Sequence, residues 1–217
     1  MPISEVYNMD CVEYMKTLPD NFFDLAIADP PYRDSKDNAP QKEMRTNGDI
    51  HRFGDKPENV FFDELKRVSK NQIIWGANNF GIPFKGFIAW DKMVRGSDRY
   101  SQVEIASISD SLGTVSRYVQ VSCAGKNKIH PTQKPVALYN WILDTYGGGK
   151  IKTVFDPMMG SQSSRIAAHN RGYDYYGCEL DGEYFDKGNE RFNRECHGVI
   201  KRTDGTVVEQ MCLFDGL

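Results

Sequence analysis

The chain has 217 residues, 40% hydrophobic and 26% charged, with a formal net charge of −3. The length suits one large domain with a sizeable core, the composition is globular rather than disordered, and the small negative charge gives no chain-wide basic footprint for a polyanion. No apolar run reaches membrane-span length, MPISEVYNMD lacks a secretory-signal pattern, and five cysteines without a C-x-x-C lead us to expect a reduced, cytoplasmic protein.

EVYNMD (5–10) reads as a short strand ending in Asp10, followed by a helix over 11–18 in which Val12, Met15 and Leu18 share a face. The apolar run 25–28 reads as a strand buried on both faces. Pro30 and Pro31 stop it at Asp29 and hold Asp29 and Tyr32 in a stiff loop. Residues 33–57 are polar, with Pro40, Gly48, Gly54 and Pro57, and read as a long mobile loop insertion. A helix over 58–69 and strands over 71–76, 86–90 and 102–109 follow. KPVALYNWILDTY (134–146) reads as a helix with Pro135 early, where its missing N–H costs little, and with Leu138, Trp141, Ile142 and Tyr146 on one face. Then come a strand over 151–157, a helix over 163–172 stopped by Gly172, a strand over 173–180 and a helix over 181–195 capped by Asp181. Alternating strands and helices predict a mostly parallel α/β sheet with helices on both faces. We read residues 1–197 as one domain and 198–217 as a C-terminal hairpin or tail, with an Asp-Gly turn between two β-rich runs.

Strands ending at Asp10, Asp29, Asp156 and Glu179 would bring four acids to one carboxyl edge, where open α/β sheets bind ligands. FDPMMGS puts Gly160 at a strand-to-helix turn, suited to close backbone approach and to polar groups at the helix N-terminus. No G-K-[ST] follows, so it is not a phosphate loop. Glu179, ending the next strand, is suited to ribose hydroxyls. That half of the chain reads as a site for an adenosine moiety with little phosphate, with a plain βαβ unit as the alternative. The four histidines, at 51, 130, 169 and 197, have no paired metal spacing, and no metal is expected. No acid lies between Asp110 and Asp144, while Arg117, Lys126, Lys128 and Lys134 do; this suits either a solvated loop region or a surface for phosphates.

Three blocks, about 70 of the 217 residues, carry a family resemblance. VFDPMMGSQSSRIAAHNRGYDYYGCELDGEYF resembles the S-adenosylmethionine site of the DNA amino-methyltransferases. MDCVEYMKTLPDNFFDLAIADPPY resembles their catalytic segment, and HPTQKPVALYNWIL (130–143) the segment preceding their cofactor strand. With the catalytic segment first, the order is similar to the permuted β-type arrangement, which implies a Rossmann-like sheet with circularly permuted motifs. The resemblance implies Asp29, Pro30, Pro31 and Tyr32 as the catalytic loop. It implies S-adenosylmethionine bound by Asp10, Asp29, Thr132, Gln133, Lys134, Asp156, Pro157, Gly160, Ser161, Glu179 and Leu180. Asp10 would lie near the adenine, Asp156 and Gly160 near the methionine part, Glu179 at the ribose, and Thr132, Gln133 and Lys134 at the amino-acid end. The family's usual G-S-G turn is Gly160-Ser161-Gln162 here, and a Gln at a position needing φ > 0 costs about 1 kcal/mol or more.

The implied reaction is methyl transfer to an exocyclic amine of a DNA base, adenine N6 being favoured and cytosine N4 the alternative. Rivals are a catalytically impaired cofactor-binding homologue and an RNA or protein methyltransferase. Arg33, Arg95, Arg117, Lys126 and Lys128 are the expected DNA contacts, with 33–57 and 91–130 as the recognition segments. QMCLF (210–214) resembles the short peptides that bind the bacterial sliding clamp, with Gln210, Leu213 and Phe214 as anchors; a packed tail is the alternative.

Overall fold

The structure is a computed structural model. It describes residues 2–32, 43–46, 49–52, 55–94, 101–123, 128–201 and 204–209. In chain order the elements are β1 (Ser4–Tyr7), α1 (Cys11–Lys16), β2 (Leu25–Ala28), β3 (Glu43–Thr46), β4 (Asp49–Arg52), α2 (Asn59–Val68), β5 (Gln72–Trp75), β6 (Gly86–Asp91), β7 (Val103–Ile108), β8 (Arg117–Gln120), α3 (Val136–Tyr146), β9 (Thr153–Asp156), α4 (Ser163–Arg171), β10 (Asp174–Cys178), α5 (Gly182–His197), β11 (Val199–Lys201) and β12 (Val207–Glu209).

The main sheet has the order β1-β10-β9-β2-β5-β7-β6-β8. The first five are mutually parallel. β7 runs antiparallel to both β5 and β6, and β8 runs parallel to β6. The fold is therefore Rossmann-like and mostly parallel, with catalytic and cofactor segments in permuted order. The reversed strand β7 matters for the site, because its start lies at the edge where the parallel strands end.

Side-chain alternation along β2 divides the core. Leu25 and Ile27 pack on one face with Leu138 and Ile142 of α3 and Ala167 of α4. Ala26 and Ala28 pack on the other with Met15 of α1 and Phe61 and Leu65 of α2. Each large side chain removed from water in this way contributes about 1.5–3 kcal/mol. Local chemistry sets the ends: Asp10 caps α1 by accepting from the Val12 and Glu13 amides, and Asp181 caps α5 in the same manner.

Several boundaries depart from the sequence reading. β1 ends at Tyr7, so Asp10 is a helix cap three residues beyond it. Within 33–57, read as a loop, β3 and β4 form an antiparallel hairpin. β8 was not anticipated; only Val119 of its four residues is buried, too little alternation to read. The buried face of α3 is Leu138, Tyr139, Ile142 and Leu143, while Trp141 and Tyr146 pack only partly against the core. The expected terminal hairpin is β11 with β12. Arg33, Arg95, Lys126, Gln210, Leu213 and Phe214 lie outside the described residues. Among those described, no helix is long and apolar enough to cross a membrane, and no three or more His, Cys, Asp or Glu side chains are grouped to hold a metal ion.

Candidate active site

β2 delivers Asp29 to the carboxyl edge, and the two prolines fix the turn that follows. Tyr32 folds back so that its hydroxyl donates to Asp29 Oδ1 at 2.7 Å. Its ring packs on Gly76, just past β5. Gly76 has φ +66°, and a Cβ there would fall 2.2 Å from Tyr32 Cε1. The position therefore demands glycine both for backbone conformation and for space. Burial and the anions of Asp29 and Glu104 push the Tyr32 phenol well above its ordinary value, so it stays a donor.

The other Asp29 oxygen is held by Lys134, which precedes α3. Lys134 Nζ lies 2.5 Å from Asp29 Oδ2 and 3.2 Å from Glu104 Oε2. Glu104, in β7, was not singled out in the sequence. Its signal was a lone acid in an apolar strand, but only the antiparallel direction of β7 brings it to this edge. Lys92, just past β6, lies 2.5 Å from Glu104 Oε1.

On the other side of β2 from β5, the adjacent β9 and then β10 build the second half. Asp156 is 2% exposed. It accepts from Ser164 Oγ at 2.5 Å and from the Met158 amide at 3.1 Å, which ties the turn to the start of α4. Burial raises its carboxyl to about 7, with Asp29 and Glu179 adding to the rise. Glu179 closes the loop. Its Oε2 accepts from the Gly160 amide at 2.8 Å and its Oε1 from the Asp181 amide at 2.9 Å, while burial raises its pKa. Gly160 has φ +45°, and a Cβ there would meet the His130 ring at 3.7 Å. That ring packs edge-on against Tyr184, with centroids 4.3 Å apart. His130 and Tyr184 were both missed in the sequence.

The remaining expected residues fall as follows. Asp10 is exposed at the α1 cap, and Leu180 is 71% exposed beside Glu179. Asn8 Nδ2 donates to the Glu179 and Leu180 carbonyls, linking the β1 exit to the β10 exit. Thr132 is exposed, with Oγ1 3.0 Å from His130 Nδ1, and Gln133 Oε1 accepts from the Ile129 amide. Pro157 and Ser161 are buried in the turn. Ser161 contributes its carbonyl to Arg191. Lys128 is half-buried just before His130. Arg117 lies over Tyr146 at the end of α3 remote from Lys134. The structure thus gathers Asp29, Tyr32 and Lys134 in one network and Asp156, Gly160 and Glu179 in another, on one sheet edge, and leaves Arg117 apart from both.

Gln162 has φ +60°, the conformation its usual glycine counterpart would take without strain. Its side chain turns inward, donating to the Phe185 carbonyl and Asn189 Oδ1 and accepting from Arg165.

A sequence model of the N6/N4 DNA methylase family matches residues 99–190, which include the second network but not the Asp29 loop. The type II methyltransferase M.HinfI of Haemophilus influenzae is 25% identical over an alignment covering 87% of this chain and 68% of that one. The M1.HpyAVI–SAM complex has the same fold, with TM-score 0.57 and 20% identity, covering 88% of this chain and 100% of that one. So does the PvuII DNA methyltransferase (cytosine-N4-specific), with TM-score 0.58 and 13% identity, covering 94% and 95%.

Proposed function

We propose that this chain, which belongs to the circularly permuted N6/N4 DNA amino-methyltransferase family, binds S-adenosylmethionine and methylates the exocyclic amine of a DNA base, with adenine N6 as the target. The observation that carries the reading is the Asp29 carboxylate, fixed by Pro30 and Pro31 on the same edge as the Asp156–Gly160–Glu179 turn.

The second network suits the cofactor. Glu179 keeps acceptor capacity beyond its two amide bonds, enough for vicinal ribose hydroxyls. Gly160 leaves backbone open to close approach, and exposed Leu180 offers an apolar cover for adenine. When bound, the cofactor supplies an electrophilic methyl on a sulfonium.

An exocyclic base amine is a weak nucleophile because its lone pair is delocalised into the ring. Acceptors aimed at its N–H groups favour the shift towards sp³ geometry that attack requires. Asp29 supplies a carboxylate and Pro30 a main-chain carbonyl, both preorganised, which is where enzymes gain most of their advantage. Tyr32 supplies a stacking face for a base turned out of the duplex, worth roughly 1–3 kcal/mol. The D-P-P-Y form of the loop favours adenine. Cytosine N4 is the second reading, supported by the shared fold with the PvuII enzyme. Transfer of a labelled methyl from S-adenosylmethionine into DNA, with RNA and protein assayed in parallel, tests the reading. Label in DNA alone is expected; label only in another polymer overturns it.

A further inference from the structure

Lys134 is 5% exposed, and its ammonium sits among the rings of Trp75, Tyr32 and Trp90, 5.2, 5.8 and 6.0 Å from their centroids. A buried charge of this kind needs a partner. Asp29 alone would neutralise it. The site contains a second carboxylate, Glu104, and that carboxylate has its own lysine, Lys92. The resulting order, Lys92–Glu104–Lys134–Asp29, alternates in sign along a chain of contacts of 2.5, 3.2 and 2.5 Å. Burial works against both inner charges. Asp29 and Glu104 nevertheless hold the Lys134 ammonium above its ordinary value, and Lys134 and Lys92 hold Glu104 below its own.

Neutralisation does not explain the extra pair, whereas placement does. Asp29 must accept from the base amine while Tyr32 and Lys134 already occupy its two oxygens. An ammonium with no other anion would settle wholly on Asp29 and draw its electron density away from the amine. A second carboxylate on the opposite side divides the cation, and Lys92 keeps that carboxylate from collapsing inward. Register fixes the geometry: Trp90 and Glu104 are paired across β6 and β7, so the ring beside Lys134 and the acid that shares it move as one unit.

Resting on the methyltransferase reading above, we propose that Glu104, tethered by Lys92, is a positioning residue: it shares the Lys134 ammonium so that the Asp29 carboxylate stays oriented and available to the target amine.

The test uses the full chain with Glu104→Gln and the charge-balanced double variant Lys92→Met/Glu104→Gln. Kinetics on DNA, calorimetry with S-adenosylmethionine, thermal melting and NMR titration of Lys134 are the readouts. We expect kcat to fall about 10–100-fold in both variants, as for small misplacements of reacting groups, with cofactor affinity unchanged. The double variant should recover the melting temperature but not kcat, and Lys134 should titrate lower without Glu104. Wild-type kcat in either variant would overturn the proposal, as would kcat recovering together with melting temperature, which marks a structural role. Cofactor affinity falling in step with kcat would also overturn it, placing Lys134 on the cofactor instead. Wild-type turnover in the same assay tests the methyltransferase reading separately. If that failed, an unshifted Lys134 titration would still refute the Glu104 contact.

Discussion

Gln162 and Gly188 are fitted to each other: a Cβ on Gly188 of α5 would lie 2.5 Å from Gln162 Nε2. The side chain that departs from the family's turn is received by a glycine on the facing helix and bonded to Arg165 and Asn189. It is fully buried and faces α5, not the cleft.

Gln162→Gly should therefore destabilise the protein. Relief of the left-handed backbone returns about 1 kcal/mol, but a charge-assisted bond worth about 1.5–3 kcal/mol is lost and Arg165 is left short of a partner. Gly188→Ala should destabilise too, through the clash. Melting temperatures of both variants below wild type are expected; a Gln162→Gly protein more stable than wild type would mean that the network adds nothing.

Asp156→Asn tests the buried carboxyl. In the folded protein its pKa is raised from 3.8 to about 7, so the folded state favours the protonated form. Between pH 4 and about 7 the unfolded chain ionises and the folded one does not, so wild-type stability from this group is present at low pH and lost as pH rises. The loss corresponds to about 4 kcal/mol at most. Asparagine is neutral throughout and can still accept from Ser164. Relative to wild type, the variant's melting temperature should climb across that window; a constant difference would contradict the assignment.

Gly76→Ala should act as a remote lesion of Tyr32. The new Cβ collides with the ring and the backbone is strained by about 1 kcal/mol. We expect kcat to fall with cofactor affinity held, as for Tyr32→Ala. An active Gly76→Ala enzyme would show that the Tyr32 placement is not needed.

Glu179→Gln should weaken S-adenosylmethionine binding by roughly 1.5–3 kcal/mol, the range for a hydrogen bond to a charged group, and leave DNA affinity nearly unchanged. Calorimetry reads this directly. Unchanged cofactor affinity would remove Glu179 from the site.

Much of this was legible in the chain. Asp29-Pro30 and Asp156-Pro157 marked two strand ends, and the apolar runs before them marked a parallel sheet. Asp181 and Gly172 marked helix ends through capping and left-handed backbone. Glu104 and Lys134 are 30 positions apart and meet only because β7 runs backwards, which no periodicity encodes. Gly76 and Tyr32 are likewise joined by strand order, β2 beside β5, rather than by spacing. The β3–β4 hairpin was hidden because each strand carries a single apolar residue, Met44 and Ile50, too few to show strand alternation.

The most direct test is mass spectrometry of nucleosides from DNA incubated with S-adenosylmethionine and either wild-type protein or Asp29→Asn. N6-methyldeoxyadenosine is expected with wild type and about 10²–10³-fold less with the variant, the usual loss for one preorganised group. N4-methyldeoxycytidine in its place would contradict the choice of adenine. Methylated product from Asp29→Asn within tenfold of wild type would contradict the role of the Asp29 loop itself.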